Sequence, residues 1–261
     1  MSSATRQTQI LKILETKSEG SIDYFANKFG TSGMTIRRDL QLLADQGRII
    51  RTHGGATVAP GIRFEFAFLK RTKLNQAHKQ AIGRLAASLV AEGNSVVLDS
   101  GTTTLAIAEQ LRHRQGIKVI TTSLPIASML QYNESIQVIL LGGQLRPGSP
   151  DLIGAITEAN LEILRADLAF VGADAVDDDG QVYSESSDLA RMLSKLVASA
   201  KTPYIVADSS KLGQTALWRF GDLKLLAGLI TDDKAEATSI NRLVKLGVKV
   251  MRPARTHRGH G

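Results

Sequence analysis

Residues Thr31 to Ala56 read Thr-Ser-Gly-Met-Thr-Ile-Arg-Arg-Asp-Leu-Gln-Leu-Leu-Ala-Asp-Gln-Gly-Arg-Ile-Ile-Arg-Thr-His-Gly-Gly-Ala, and this stretch decides the fold of the N-terminal region. Thr31 or Ser32 can cap a helix with its hydroxyl. Ile36, Leu40 and Leu43 recur at helical spacing and mark the face to be buried, which turns Thr35, Arg37 and Arg38 outward. Upstream, Ile22, Phe25, Ala26 and Phe29 form a second apolar stripe that stops at Gly30. Two short helices joined by a tight turn, the second presenting Arg and Thr near its start, have the layout of a helix-turn-helix. After Gly47, Arg48-Ile-Ile-Arg51 and Ala56-Thr-Val58 read as two short strands around His53-Gly54-Gly55. This pair is expected to form a wing beside the helix, able to reach phosphate or the minor groove.

The run Met34-Thr-Ile-Arg-Arg-Asp-Leu40, followed by Leu43, Gly47 and Arg51-Thr-His-Gly-Gly-Ala56, resembles the N-terminal signature of the DeoR-type bacterial transcriptional repressors. An isolated Arg pair is more often a solvated face of a helical bundle; helix, wing and signature together outweigh that reading. Ser32, Thr35, Arg37, Arg38, Arg51, His53 and Gly54 are the candidate DNA-binding residues. Arg37 and Thr35 are expected at base edges, with Arg38, Arg51 and His53 on phosphates or in the wing's groove. One such domain offers few contacts for operator specificity, so a homodimer or homotetramer is expected on double-stranded operator DNA.

Composition bounds the alternatives. With 43% hydrophobic and 22% charged residues among 261, the chain reads as globular, long enough for one small and one medium domain. No apolar run approaches the ~20 residues of a membrane span. The opening apolar positions Ile10, Leu11, Ile13 and Leu14 are interrupted by Lys12, unlike a signal peptide. No cysteine is present, which excludes disulfides, thiol catalysis and zinc-finger ligation, and a cytoplasmic location is expected. The net charge of +7 is uneven: +3 over residues 1–60, +3 over 61–78, −2 over 79–251 and +3 over 252–261. A basic N-terminal third on a nearly neutral body fits a polyanionic partner for the small domain.

Four segments are expected: a winged helix-turn-helix over 1–58, a connector over 59–77, an effector and oligomerisation domain over 78–251, and a basic tail over 252–261. Phe64, Phe66 and Phe68 in the connector are expected to dock on the larger domain or a second subunit. From Lys79 onward, helical stretches alternate with short apolar strands at Ser95–Leu98, Lys118–Thr121, Gln137–Leu141, Asp167–Val171, Pro203–Ala207, Ala227–Ile230 and Val248–Met251. Such alternation predicts an α/β domain with a mostly parallel sheet covered on both faces.

In open parallel sheets ligands bind beyond the carboxyl ends of the strands. There the sequence places Asp99-Ser-Gly-Thr-Thr-Thr104, a hydroxyl-rich glycine turn entering a helix. Backbone N–H groups and hydroxyls in that setting hold an anion, and with no following Lys a single small phosphate suits the loop better than a triphosphate. The other strand ends carry Thr122 and Ser123, Gly143 and Arg146, Asp174 with Glu185 further on, and Lys211. Arg146 and Lys211 are suited to balance a phosphate, and Asp174 and Glu185 to accept sugar hydroxyls.

These stretches resemble the C-terminal half of the DeoR family, a sensor similar to sugar-phosphate isomerases. The resemblance implies a phosphorylated sugar as effector. It places Asp99, Ser100, Gly101, Thr102, Thr103 and Thr104 at the phosphate or adjacent sugar, and Asp174, Glu185 and Lys211 at sugar-facing positions. Where the family commonly has Thr-Asn-Ser, this chain has Thr121-Thr122-Ser123. The alternative is a sugar-phosphate isomerase-like enzyme with an appended DNA-binding domain. Val171, however, stands where the isomerases' Asp-Gly-Ala-Asp motif has its first carboxylate. Half the acid–base set needed for proton transfer between carbons is then missing. No catalytic residue, cofactor or metal is assigned, and the reading is a repressor of carbohydrate-metabolism genes relieved by a phosphorylated sugar.

Overall fold

The computed structural model describes residues 1–58, 68 and 70–253. It divides into two compact units, one spanning Met1–Lys70 and the other beginning at Arg71. Phe68 is buried; the expectations placed on Phe64 and Phe66, and on the tail from residue 254, lie outside the described residues.

The first unit is built on three helices: α1 (Ser3–Lys17), α2 (Ile22–Phe29) and α3 (Gly33–Asp45). Serine caps each of them. Ser2, Ser21 and Ser32 accept hydrogen bonds from the backbone N–H of Thr5, Tyr24 and Thr35. Gly30 ends α2 in the left-handed conformation (φ 59°), leaving the two-residue step Thr31-Ser32 before α3. Ile10, Leu11 and Leu14 of α1 meet Ile22, Phe25, Ile36, Leu40 and Leu43 in one core, closed by Ile49 and Ala56.

The two expected wing strands, β2 (Ile49–Thr52) and β3 (Gly55–Val58), are joined by a third, β1 (Glu19–Ser21), giving an antiparallel sheet in the order β1-β3-β2. β1 is too short to show an alternating pattern. Gly55 faces Gly20 so closely that a Cβ there would overlap the Gly20 carbonyl oxygen, which explains the second glycine of His53-Gly54-Gly55.

In the second unit α4 (Gln76–Ser88) precedes a seven-stranded sheet. Its strands are β4 (Ser95–Leu98), β5 (Ile117–Thr121), β6 (Ile136–Leu140), β9 (Ala166–Gly172), β12 (Ala200–Val206), β14 (Gly228–Ile230) and β15 (Val250–Met251). All seven expected strands are here, in the order β15-β14-β12-β9-β4-β5-β6, and every pairing is parallel. Val96, Val97 and Leu98 have no exposed surface, as continuous apolar runs in a two-sided sheet require. Helices α5 (Thr102–Leu111), α6 (Leu124–Leu130), α7 (Ala155–Glu162), α8 (Ser187–Ala198) and α9 (Ala237–Lys245) complete the alternation.

Two small antiparallel sheets were not foreseen: β7 (Gln144–Leu145) with β8 (Leu152–Ile153), and β10 (Ala175–Val176), β11 (Gln181–Ser184) and β13 (Trp218–Asp222). Successive strands run outward from β4 through β5 to β6, and the other way from β9 to β15. The switch point therefore lies between β4 and β9. No helix among the described residues is long and apolar enough to cross a membrane.

Candidate nucleic-acid interface and effector crevice

Arg37 and Arg38 are exposed on α3, and among the described residues neither makes an ion pair. Thr35 is half-exposed; its hydroxyl lies 3.0 Å from that of Ser32, the cap beside it. Asp39, the next residue after the Arg pair, has the opposite fate. It is buried, and its carboxylate accepts from Arg6 (2.5 Å), Ser3 (2.7 Å) and Gln7 (3.0 Å), all on α1. Burial alone would raise its pKa, but the Arg6, Ser3 and Gln7 hydrogen bonds and the Arg6 charge bring it below the ordinary carboxylate value. Sequence reasoning passed over Asp39. Its place three residues after Ile36, within the apolar stripe, was the available signal.

Side-chain and backbone hydrogen bonds tie the wing to the helices, among them Thr57 Oγ1 donating to the Ser18 carbonyl at the end of α1 (2.8 Å). Arg51 donates from Nη1 to Gln41 Oε1 (3.0 Å), and Gln41 in turn donates to Asp45 (2.8 Å), so the Arg51 guanidinium is braced against α3. Its enclosed Nε has no hydrogen-bond partner among the described residues. At the exposed tip, His53 is followed by Gly54, whose carbonyl accepts from the Ile22 N–H (2.9 Å) at the start of α2.

In the second unit Asp99 stands at the end of β4, at the switch point. It is buried, and Oδ2 accepts from the Gly172 N–H of β9 (2.7 Å). Burial pushes its pKa up to about 6, against the pull of the Gly172 N–H and with the help of the nearby Asp151 charge. Ser100 donates to Asp151 (2.6 Å), and Arg146 forms a two-pronged ion pair with the same carboxylate, at 3.0 Å from Nε and 3.0 Å from Nη2. Asp151 has no exposed surface and had no sequence signal beyond a lone acid after Pro150.

Gly101 occupies the N-cap of α5 and supplies no side-chain oxygen to its first-turn N–H groups. Thr102 is half-exposed, Thr103 is buried, and Thr104 is turned inward with its hydroxyl on the Asp99 and Gly101 carbonyls. Thr122 is fully buried, with a hydroxyl that has no partner among the described residues. Ser123 caps α6. Gly143 packs against the Thr157 hydroxyl, where a Cβ would collide.

Asp174 accepts from the Ser184 hydroxyl (3.1 Å) and the Glu185 N–H (3.0 Å), which joins the two expected sugar-facing acids across one turn, with Glu185 exposed. Lys211 closes a single 3₁₀ turn, Ser209–Lys211. Near it lies Lys79, buried on α4, donating to the Arg71 carbonyl and to the Leu74 carbonyl (2.8 Å). Burial lowers the Lys79 pKa although Asp208 opposes it, and the Lys211 and Arg71 charges lower it further. Helical spacing puts Lys79 on the same face as Ile82 and Ala86, and that was a readable signal. Direct hydrogen bonds thus link Ser100, Asp151 and Arg146, and separately Asp174 and Glu185. An open cleft of about 700 Å³ borders this region, lined by Asn75, Ser209, Lys234 and Arg242 among others, and none of the expected effector residues lines it.

Against known families, residues 6–60 match the DeoR-like helix-turn-helix domain and residues 74–233 match the DeoR C-terminal sensor domain. The chain belongs to the DeoR family. A putative aga operon transcriptional repressor of Escherichia coli O157:H7 is 30% identical over 94% of this chain and 92% of its own length. The glycerol-3-phosphate regulon repressor of Escherichia coli K12 is 28% identical over 89% and 92%. Among solved structures, ribose 5-phosphate isomerase A from Neisseria gonorrhoeae aligns over 54% of each chain at 18% identity with a TM-score of 0.39. The chain is accordingly a DNA-binding transcriptional repressor of the DeoR type, and its DeoR-family relatives are named as regulators.

Proposed function

We propose that a phosphorylated sugar, bound where β4, β5, β9 and β12 end, releases this repressor from its operator and so induces carbohydrate-metabolism genes. The observation that carries this reading is the switch point. There Asp99 bridges to Gly172, and α5 opens with an N-cap that leaves its amides without a side-chain partner. Lys211 and the α5 amides are suited to the phosphate, because Arg146 is already neutralised by Asp151. Asp174 and Glu185 are suited to sugar hydroxyls. A relative named for a glycerol-3-phosphate regulon supports a phosphorylated polyol as the chemical class. On the DNA side, Arg37 and Thr35 read base edges while Arg38 and His53 meet the backbone, as two or four copies of the winged domain engage a symmetric operator in the cytoplasm. The division at residues 58 and 78 separates the two tasks.

Effector binding must favour one arrangement of the DNA-binding units, and a coupling of about 1–3 kcal/mol suffices for a several-fold change in occupancy. The test is fluorescence anisotropy of the protein on its own upstream DNA, titrated with sugar phosphates and the matching free sugars. Release by one phosphorylated sugar alone is expected. Tight binding indifferent to every ligand overturns the sensor reading and leaves the repressor. Replacing Lys211 by Ala should abolish the response and leave DNA affinity intact.

A further inference from the structure

We propose that His78, Asp232 and Asp233 form a binding site for one divalent transition-metal ion, Zn²⁺ or Mn²⁺ in class, at the edge of the second unit. His78 enters from the first turns of α4; Asp232 and Asp233 follow the end of β14. One ligand atom from each lies within 4.8 Å of the others. His78 Nδ1 is enclosed by protein and has no hydrogen-bond partner among the described residues. It sits 3.9 Å from Asp232 Oδ1. That separation is too long for a hydrogen bond. Two ligands sharing an ion at bonds of about 2.1 Å stand no more than about 4.2 Å apart, so the three groups must draw together from their 4.8 Å limit to hold it.

The carboxylate supplies an independent argument. Asp232 has no exposed surface, and among the described residues its ion-pair contact is His78, which carries a charge only when protonated. Buried charges are paired or coordinate metals. Its Oδ2 accepts from the Ser209 N–H (2.7 Å) and its Oδ1 from the Lys234 N–H (2.8 Å). Those bonds fix the carboxylate's orientation and leave a lone pair on each oxygen, which is how outer-shell contacts prepare a metal ligand. An imidazole with two carboxylates favours Zn²⁺ or Mn²⁺ over soft ions. Three protein ligands leave further positions open toward the cleft that His78 also lines. The ion would tie α4 to the end of β14, and through Asp232 to the turn that carries Lys211.

The experiment uses the full-length protein stripped with EDTA and titrated calorimetrically with ZnCl₂ and with MnCl₂, followed by thermal melts. One saturable ion per chain in the micromolar range or tighter is expected, with a rise of several degrees in midpoint. His78→Ala and Asp233→Asn should each weaken it by about 10–100-fold. Asp233→Asn leaves the Asp232 backbone contacts in place, so fold loss does not mask the result. A chain with both His257→Ala and His260→Ala should bind as the parent does, and anomalous diffraction at the metal edge should place the ion on His78. Absence of saturable binding by either ion overturns the site, as does binding that survives His78→Ala or vanishes with the tail histidines.

Discussion

Helix α3 and the strand ends around Asp99 treat their charges in opposite ways. On α3 the cations Arg37 and Arg38 face solvent with no ion pair among the described residues, and the acid next to them, Asp39, is folded away under α1. In the crevice the cation Arg146 is locked to Asp151, and Asp99 is held buried with its pKa pushed up to about 6. An interface for a polyanion needs cations left free, since each phosphate neutralised releases counterions. A site for one small ligand needs its polar groups held in place before the ligand arrives.

This contrast can be broken from either side. The largest effect is expected for Asp39→Ala, which strands the mostly buried Arg6; about 3–5 kcal/mol of the first unit's stability should be lost, read as a fall in its unfolding midpoint. A midpoint left in place would mean that α1 and α3 are held by apolar packing alone. Next comes Asp99. Its folded pKa of about 6 lies above its unfolded value, so the neutral form is preferred on folding. Its contribution is therefore most favourable below the ordinary aspartate value of 3.8 and is lost as pH rises through about 6. Asp99→Asn should flatten the stability profile across that window, a span of up to about 3 kcal/mol; urea melts at several pH values measure it.

Arg37→Ala should cost about 1–3 kcal/mol of operator affinity and relax specificity at one base position. Arg38→Ala should weaken all DNA alike and lower the salt slope by about 1, as anisotropy at several salt concentrations will show. A base-specific loss for Arg38 would exchange the two roles. The smallest effect is expected for Ser32→Ala, about 1 kcal/mol from the lost cap of α3, read in the thermal midpoint.

The fold was legible where burial imposes a period. Ile36, Leu40 and Leu43 wrote α3 into the sequence, and the unbroken runs such as Val96-Val97-Leu98 wrote the parallel sheet. What escaped was structure made by partners far along the chain. β13 joins β11 across more than thirty residues, and β1 has three residues and exists because β3 pairs with it. The candidate crevice was legible only as a set of loops at strand ends. That Asp151 would neutralise Arg146, or that Asp232 would meet His78 across the unit, depends on distances that no local spacing records.

The carbonyl of Gly54 resting on the Ile22 N–H has a further consequence. With β1 paired to β3 as well, the wing is fastened at its tip and along its edge to the element that begins α2. Little backbone freedom is left in the wing, so any association it makes forfeits less ordering entropy than a loose hairpin would.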